Sequence, residues 1–189
     1  MAAPPRDFAP GLQHVWVNAT GHEEYFRDDV DRLAWLRRLV QTKELHGWTC
    51  VAFCQLTTHV HLVLDVPDWS LPIGMKRLNV EYSKDFNARH RRVGQLVRRR
   101  YGSRRIVGAA DLLGVYAYVV LNPVEAGLVR RAEDWRWSSY ATTLGSSGDF
   151  PFVDAPLVLA ELGGSVDALR ALVEARKRTH LTRRATAGV

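Results

Sequence analysis

The feature that most constrains this chain is a pair of histidines set two residues apart in an apolar run. His59 and His61 lie within residues 56–66, which predict a buried strand. Successive side chains of a strand point to opposite faces, so the two imidazoles point the same way. Because an unpaired imidazole is costly against an apolar core, the pair is most simply explained by a divalent cation that both bind. A hydrogen-bonded core histidine is the alternative for either residue alone.

A second segment, residues 111–123, predicts a helix with polar groups on one side. Its apolar residues recur at helical spacing, and Pro123 prevents a long continuation. Tyr118 and Asn122 are four residues apart and share a face. A tyrosine hydroxyl can act as a nucleophile, and an amide oxygen can complete a ligand set suited to Mg²⁺ or Mn²⁺. The alternative is that Tyr118 is a core aromatic and Asn122 a helix cap.

These two motifs, together with Trp-Arg-Trp-Ser-Ser-Tyr at residues 135–140, resemble a known family. They are similar to the single-tyrosine HUH transposases of the IS200 type, and most of all to the branch associated with repetitive extragenic palindromes (REP). The resemblance spans roughly residues 11–142. It implies metal-binding histidines at His59 and His61, an amide ligand at Asn122 and a nucleophile at Tyr118. Tyr116 is the competing nucleophile, but it lies about 200° around the helix from Tyr118, so both cannot face the histidines.

The chain departs from the family pattern at two places. Relatives commonly carry Pro-Asn before the first histidine, where this chain has Thr57-Thr58. They also carry a Phe-Gln-Gly-Arg-like stretch where residues 97–100 read Val-Arg-Arg-Arg. The resemblance implies that the first change alters the turn that aims His59 and that the second alters a loop expected to contact DNA. Neither change removes a catalytic group.

Positive charge is concentrated in one segment of a chain whose formal net charge is +6. Eight arginines crowd residues 89–105, with almost no acid between them. Arginine pairs with phosphates and stacks on bases, which favours nucleic acid over a merely solvated basic face. DNA contacts are predicted for seven of these arginines: Arg91, Arg92, Arg98, Arg99, Arg100, Arg104 and Arg105.

The order of the predicted elements indicates an α+β fold. Four strands alternate with two amphipathic helices in the order βαββαβ, which is the ferredoxin-like arrangement. The predicted strands are residues 12–18, 48–56, 59–66 and 104–107, and the helices are residues 28–46 and 71–90. In this fold an antiparallel sheet carries both helices on one face and leaves the other open, so we expect Tyr118 to meet the histidines there. RNA-recognition modules share the fold, which therefore does not assign a function by itself.

The predicted organisation is a tail at residues 1–10, a transposase (HUH nuclease) domain at residues 11–145 and a C-terminal helical extension with a basic tail at residues 146–189. The last helix should begin at Ser165, and basic residues near its end could hold phosphate. Cys50 and Cys54 should share one face of their strand as buried small residues, since neither a disulfide framework nor a zinc site is indicated.

The resulting hypothesis is a metal-dependent single-strand DNA endonuclease or transposase. It would cleave and rejoin hairpin-associated DNA through a 5′-phosphotyrosine intermediate, with Mg²⁺ or Mn²⁺ as cofactor. We expect single-stranded or hairpin DNA as the partner, a monomer or a homodimer, no membrane association and a cytoplasmic location. The alternative is a non-catalytic ferredoxin-like nucleic-acid-binding protein, which would have no need for two histidines opposite a tyrosine and an amide.

Overall fold

The fold is built around one four-stranded antiparallel sheet. The computed structural model describes residues 9–21, 23–97 and 101–187, and for residues 180–187 it describes the backbone alone. The strands are β1 (Gly11–Asn18), β2 (Thr49–Gln55), β3 (His59–Val66) and β4 (Gly102–Arg105). Their order in the sheet is β2-β3-β1-β4, with every neighbouring pair antiparallel. With helices α1 (Asp29–His46) and α2 (Leu71–Arg89) between the strands, the chain follows the βαββαβ order, so the predicted ferredoxin-like fold is confirmed.

Local sequence signals set the ends of α1. The side chain of Asp28 accepts a hydrogen bond from the backbone N–H of Asp31, which caps the first turn. At the other end Gly47 takes the left-handed conformation with φ of 66°, which glycine adopts without a steric penalty. These caps fix where the helix starts and stops between β1 and β2.

Helices α1 and α2 cover the first face of the sheet. Val15 of β1 and its cross-strand partner Leu62 of β3 lie in one apolar cluster with Trp35 of α1 and Tyr82 of α2. All four side chains are fully buried. Burial of such a side chain contributes roughly 1.5–3 kcal/mol, so this cluster is a main source of the stability of the domain.

The second face of the sheet is covered as well, by helices that follow β4. Its cluster of buried residues includes Val63 of β3 together with Val119 and Leu169 from these helices. These helices are α3 (Gly108–Glu125), a 3-10 turn (Ala132–Asp134), α4 (Tyr140–Thr143), α5 (Ala155–Ala160) and α6 (Val166–Ala187). The expectation of an open second face therefore holds only for the βαββαβ unit itself. Helix α3 is apolar on most of its sides, and such a helix must be buried between partners.

The two cysteines lie on opposite faces, which corrects the expectation that they share one. The pairing of β2 with β3 shifts register between Cys50 and Ala52. An extra residue in one strand reverses the alternation of the side chains beyond it. Cys50 accordingly joins the cluster under α1 and α2, whereas Cys54 joins the cluster under α3. Both are buried and free, as small core residues.

The C-terminal extension adds two of these helices. Ser165 caps α6, since its hydroxyl accepts a hydrogen bond from the backbone N–H of Ala168 at 3.1 Å. Helix α6 packs against α3, and it runs beyond residue 178, where the predicted helix stopped. None of the helices in the described ranges is both long and apolar enough to cross a membrane.

Gly102 permits a close contact between β4 and the ring of Trp16 on β1. The two residues are register partners in the sheet, and the indole lies where a side chain at position 102 would start. Any Cβ there would overlap the ring atoms of Trp16. Since Trp16 also contacts His14, this contact helps to hold the second face of the sheet in place.

Gly102→Ala should therefore destabilise the protein by about 1–3 kcal/mol, because a rigid indole cannot move aside cheaply. Gly114→Ala is the matched control. It lies in α3, nothing stands within 4 Å of an added Cβ, and loss of a helical glycine should raise stability by up to about 1 kcal/mol. Urea denaturation of both variants measures the difference, and equal stabilities would contradict this packing role for Gly102.

Candidate active site

The two histidines of β3 lie together on the second face of the sheet. Their ring centroids are 5.2 Å apart, with the ring planes at 90°. The hydroxyl of Thr58 lies 3.0 Å from Nδ1 of His59, so one of the residues that departs from the family pattern holds this ring. Nδ1 of His61 is likewise engaged, by Nε2 of His14 at 3.1 Å. The Nδ1 atoms of both rings are thus occupied within the protein.

Helix α3 places Tyr118 and Asn122 over these histidines. The Tyr118 ring stands edge-on to the His61 ring, with centroids 5.3 Å apart. Nδ2 of Asn122 donates a hydrogen bond to the backbone carbonyl of Tyr118 at 2.8 Å, and the Asn122 side chain lies close enough to His59 to raise the pKa of that imidazole. The four residues that the sequence singled out are therefore brought to one place. Tyr118 is partly exposed, so its ring remains within reach from outside.

The surroundings keep both imidazoles of β3 neutral. Burial lowers the pKa of His61 to about 3, and the nearby His14 and His59 add to this effect. Burial also lowers the pKa of His59, and the nearby Asn122 side chain opposes the shift in part. A histidine binds a metal ion only in the neutral form, so both rings are in the form that a ligand needs.

His14 on β1 is a member of the site that sequence reasoning missed. It is 7% exposed, and its ring lies against His61 at 5.3 Å and edge-on to Tyr118 at 5.8 Å. Burial lowers its pKa to about 4, and the charge of Arg104 adds to the shift. One signal could have indicated it. In a ferredoxin-like sheet β1 and β3 are neighbours. A histidine in the predicted strand β1 can therefore lie beside the histidines of β3.

The competing tyrosine, Tyr116, lies inside the second core. It is fully buried with Leu112, Val120 and other apolar residues of α3 and its neighbours. Burial raises the pKa of its phenol above the ordinary value, so the hydroxyl is held neutral. Since helical geometry turns Tyr116 away from the side that carries Tyr118, only Tyr118 contacts the histidines.

A cation from the C-terminal helix lies over Tyr118. The guanidinium carbon of Arg176 on α6 is 5.6 Å from the centroid of the Tyr118 ring. Next to it, Nζ of Lys177 donates a hydrogen bond to the backbone carbonyl of Arg130 at 2.9 Å. The basic end of α6, for which the sequence suggested a phosphate contact, therefore reaches the candidate site.

Several of the arginines between residues 89 and 105 are held in ion pairs by acids from other parts of the chain. Arg92 pairs with Glu23, and Arg104 pairs with Asp111 at 2.7 Å. Arg89, which was not among the predicted DNA contacts, pairs with Asp28 and with the almost fully buried Asp31. Few acidic residues lie between these arginines in the sequence, so the sequence pattern did not indicate that they would form ion pairs. An ion pair does not bar a phosphate contact, but it lowers the net charge offered to DNA.

The remaining predicted DNA-contacting arginines fall into two groups. Arg91 and Arg105 are exposed and form no ion pair within the described part of the chain. Arg91 takes a positive φ of 51° just after α2. The other three, Arg98, Arg99 and Arg100, lie outside the described residues.

The site offers a divalent ion three donor groups from the chain. Within residues 9–21, 23–97 and 101–187, no three His, Cys, Asp or Glu side chains are grouped so that they could hold a metal ion. The proposed ligand set contains two histidines, His59 and His61, and its third member is the side-chain amide of Asn122. Its two neutral imidazoles share one face of the sheet, and the amide of Asn122 lies beside His59. Two imidazole nitrogens and one amide oxygen would leave coordination positions of a divalent ion free for other ligands.

Comparisons with known proteins were made for sequence and for structure. No family model matches the chain. A Haemophilus influenzae protein named "Putative REP-associated tyrosine transposase" is 28% identical over 111 residues, which cover 53% of this chain. The match spans 63% of the length of that relative.

A solved structure has the same fold. It is titled as the structure of the REP-associated tyrosine transposase bound to a REP hairpin. The match has a TM-score of 0.68 and a sequence identity of 16%, and it covers 77% of this chain and 86% of that one. At this identity the match establishes the fold alone. Together the two comparisons confirm that this chain is similar to the REP-associated tyrosine transposases, as its sequence motifs indicate.

Proposed function

We propose that this protein is a metal-dependent single-strand DNA endonuclease and transposase that cleaves and rejoins hairpin-associated DNA. The observation that carries the proposal is the position of Tyr118, edge-on to His61 at 5.3 Å and beside His59 and Asn122. Two further findings support it. The Haemophilus influenzae relative is named as a transposase, and the structural neighbour was solved with a REP hairpin.

The chemistry assigned to Tyr118 is a transesterification. Its hydroxyl oxygen forms a bond to phosphorus, the bond from phosphorus to the 3′ oxygen breaks, and the phenolic proton leaves as the 3′ oxygen gains one. The products are a 5′-phosphotyrosine and a free 3′-OH. In the reverse direction a 3′-OH attacks the phosphotyrosine and releases Tyr118. The number of phosphate ester bonds is unchanged, so the reaction needs no nucleotide hydrolysis.

The proposed ligands of a Mg²⁺ or Mn²⁺ ion are His59, His61 and Asn122. When bound there, such an ion supplies Lewis acidity that polarises the scissile phosphate. The protein prepares these ligands in advance. Burial keeps both imidazoles neutral, Thr58 and His14 engage their Nδ1 atoms, and the backbone carbonyl of Tyr118 fixes the donor end of the amide. Ligands that are held in place lose little entropy when the metal binds.

Arg176 is proposed to bind the phosphate that Tyr118 attacks. A phosphate within reach of the Tyr118 hydroxyl comes close to the guanidinium that lies over the same ring. Guanidinium groups bind phosphate oxygens through charge-assisted hydrogen bonds. The exposed Arg91 and Arg105 are proposed to contact DNA farther from the reacting atoms, where they add affinity that depends on salt.

The decisive test of this function compares Tyr118→Phe with Tyr116→Phe. Labelled single-stranded hairpin oligonucleotides from the flanks of the gene are incubated with each protein and Mg²⁺, Mn²⁺ or EDTA, and denaturing gels report protein-linked DNA. Tyr118→Phe should lower adduct formation at least about a thousandfold while it leaves DNA affinity unchanged, because only the nucleophilic oxygen is lost. Tyr116→Phe changes a buried ring and should keep cleavage.

Two outcomes of this experiment would overturn parts of the proposal. If Tyr116→Phe lost the adduct and Tyr118→Phe kept it, the nucleophile would be Tyr116. If the wild-type protein bound hairpins tightly in EDTA and formed no adduct with either metal, the chain would be a non-catalytic nucleic-acid-binding protein.

Replacement of Arg176 tests the role of the C-terminal helix. Arg176→Ala should slow single-turnover cleavage about 10- to 100-fold, as expected for loss of a charge-assisted hydrogen bond to the reacting phosphate. Its matched control is Arg77→Ala, which removes an exposed arginine of α2 on the other side of the sheet. Rapid-quench kinetics at saturating enzyme separate the cleavage step from DNA binding. Equal and small effects of the two substitutions would show that Arg176 adds only to the general positive charge.

A further inference from the structure

The hydrogen bond between His14 and His61 joins two buried rings from neighbouring strands. Nε2 of His14 lies 3.1 Å from Nδ1 of His61, and the two side chains are 7% and 6% exposed. In the register of β1 with β3, His61 pairs with Trp16, which places His14 diagonally across from it on the same face. Trp16 contacts the His14 ring at 5.2 Å and is itself packed over Gly102. The His14 ring is therefore held in place from two sides.

Such a bond allows only two arrangements of protons. A neutral imidazole has one N–H and one nitrogen with a free lone pair, so one ring must donate and the other must accept. If His61 donates from Nδ1, its Nε2 keeps a lone pair and can bind a metal ion. If His14 donates from Nε2, Nδ1 of His61 accepts and its proton sits on Nε2, which then cannot be a ligand. The choice between these arrangements decides whether His61 can serve the site.

We propose that His14 is a positioning residue that accepts the Nδ1 proton of His61 and so keeps Nε2 of His61 free to bind the divalent ion. The role in metal binding rests on the proposed function, whereas the hydrogen bond between His14 and His61 is observed independently of it. A metal-binding histidine usually donates its second N–H to a partner that fixes the tautomer and the ring orientation. Here the partner is another histidine, on a strand that the motif of the family does not include.

A merely structural role for His14 makes different predictions about substitutions. If the ring only fills space, a residue of similar volume should replace it. If it acts as the acceptor, the replacement must place a lone pair where Nε2 stands. The side-chain amide of glutamine reaches that position, whereas the shorter amide of asparagine reaches only the position of Nδ1. Leucine fills space without an acceptor.

The first experiment measures the tautomer of His61 in the metal-free, full-length protein. Long-range ¹⁵N–¹H NMR spectra distinguish a proton on Nδ1 from one on Nε2. In the wild type and in His14→Gln we expect the proton of His61 on Nδ1. In His14→Leu and His14→Asn we expect it to move largely to Nε2. A wild-type His61 that carries its proton on Nε2 would overturn the inference.

The second experiment measures the affinity for Mn²⁺ alone by calorimetry, without DNA. Loss of such a partner typically weakens metal binding about 10- to 100-fold, and we expect this loss in His14→Leu and His14→Asn but not in His14→Gln. His46→Ala, which removes a histidine that stacks on Trp48 away from the site, is the matched control and should bind as the wild type does. Unchanged affinity in His14→Asn would contradict the role.

The two inferences fail in distinguishable ways. If the wild type binds no Mn²⁺, the proposed metal site fails, while the tautomer spectra still decide whether His14 is the acceptor. If His14→Leu does not fold, the comparison of His14→Gln with His14→Asn remains, since both are polar residues that differ in the position of the amide.

Discussion

The antiparallel pairing of β1 with β3 is the interaction on which the rest of the structure depends. These strands form the centre of the sheet and are paired along the full length of both. Their register sets His61 opposite Trp16 and brings His14 within hydrogen-bond distance of His61. A slip by one residue would turn every side chain of β3 to the other face, and the histidines would then lie under α1 and α2. The packing of Val15 and Leu62 in the first core therefore also fixes the site on the second face.

Helix α3 completes the candidate active site on this face of the sheet. Most sides of the helix are apolar, so it packs between the sheet and α6 and is held rigidly. One of its turns presents Tyr118 and Asn122 to β3, while Tyr116, turned away on the same helix, anchors the core. The contrast between these two tyrosines follows from helical geometry alone. Rigid support of this kind keeps reacting groups within the small tolerances that catalysis requires.

Much of the fold could be predicted from the sequence, because the patterns that define it are local. The alternation in β3 placed His59 and His61 on one face, and helical spacing placed Tyr118 and Asn122 together. The order of the elements then indicated which sheet face they share. Pairings between distant segments left no such local signal. The bond from His14 to His61, the position of Arg176 over Tyr118 and the bulge after Cys50 all depend on tertiary contacts.

The ion pairs of the arginine-rich segment, residues 89–105, also could not be predicted from local sequence patterns. Its density of positive charge suggested a surface free to bind DNA, since few acids stand near it in the sequence. The fold brings Glu23 to Arg92 from 69 residues away. Asp111, which lies only seven residues after Arg104, pairs with it from the first turn of α3. Exposed ion pairs of this kind are weak and can open when phosphate competes. Within the described part of the segment, Arg91 and Arg105 are the predicted DNA contacts that are exposed and form no ion pair.

The central claim is that His59, His61 and Asn122 together hold a divalent ion beside Tyr118. Anomalous diffraction from crystals of the protein grown with Mn²⁺ tests it most directly. The anomalous signal identifies Mn²⁺ itself, and the measurement does not require the enzyme to turn over. The account expects one strong anomalous peak in contact with both histidines and the amide oxygen of Asn122. Mn²⁺-dependent cleavage in solution together with a peak at other residues, and none at these three, would contradict it.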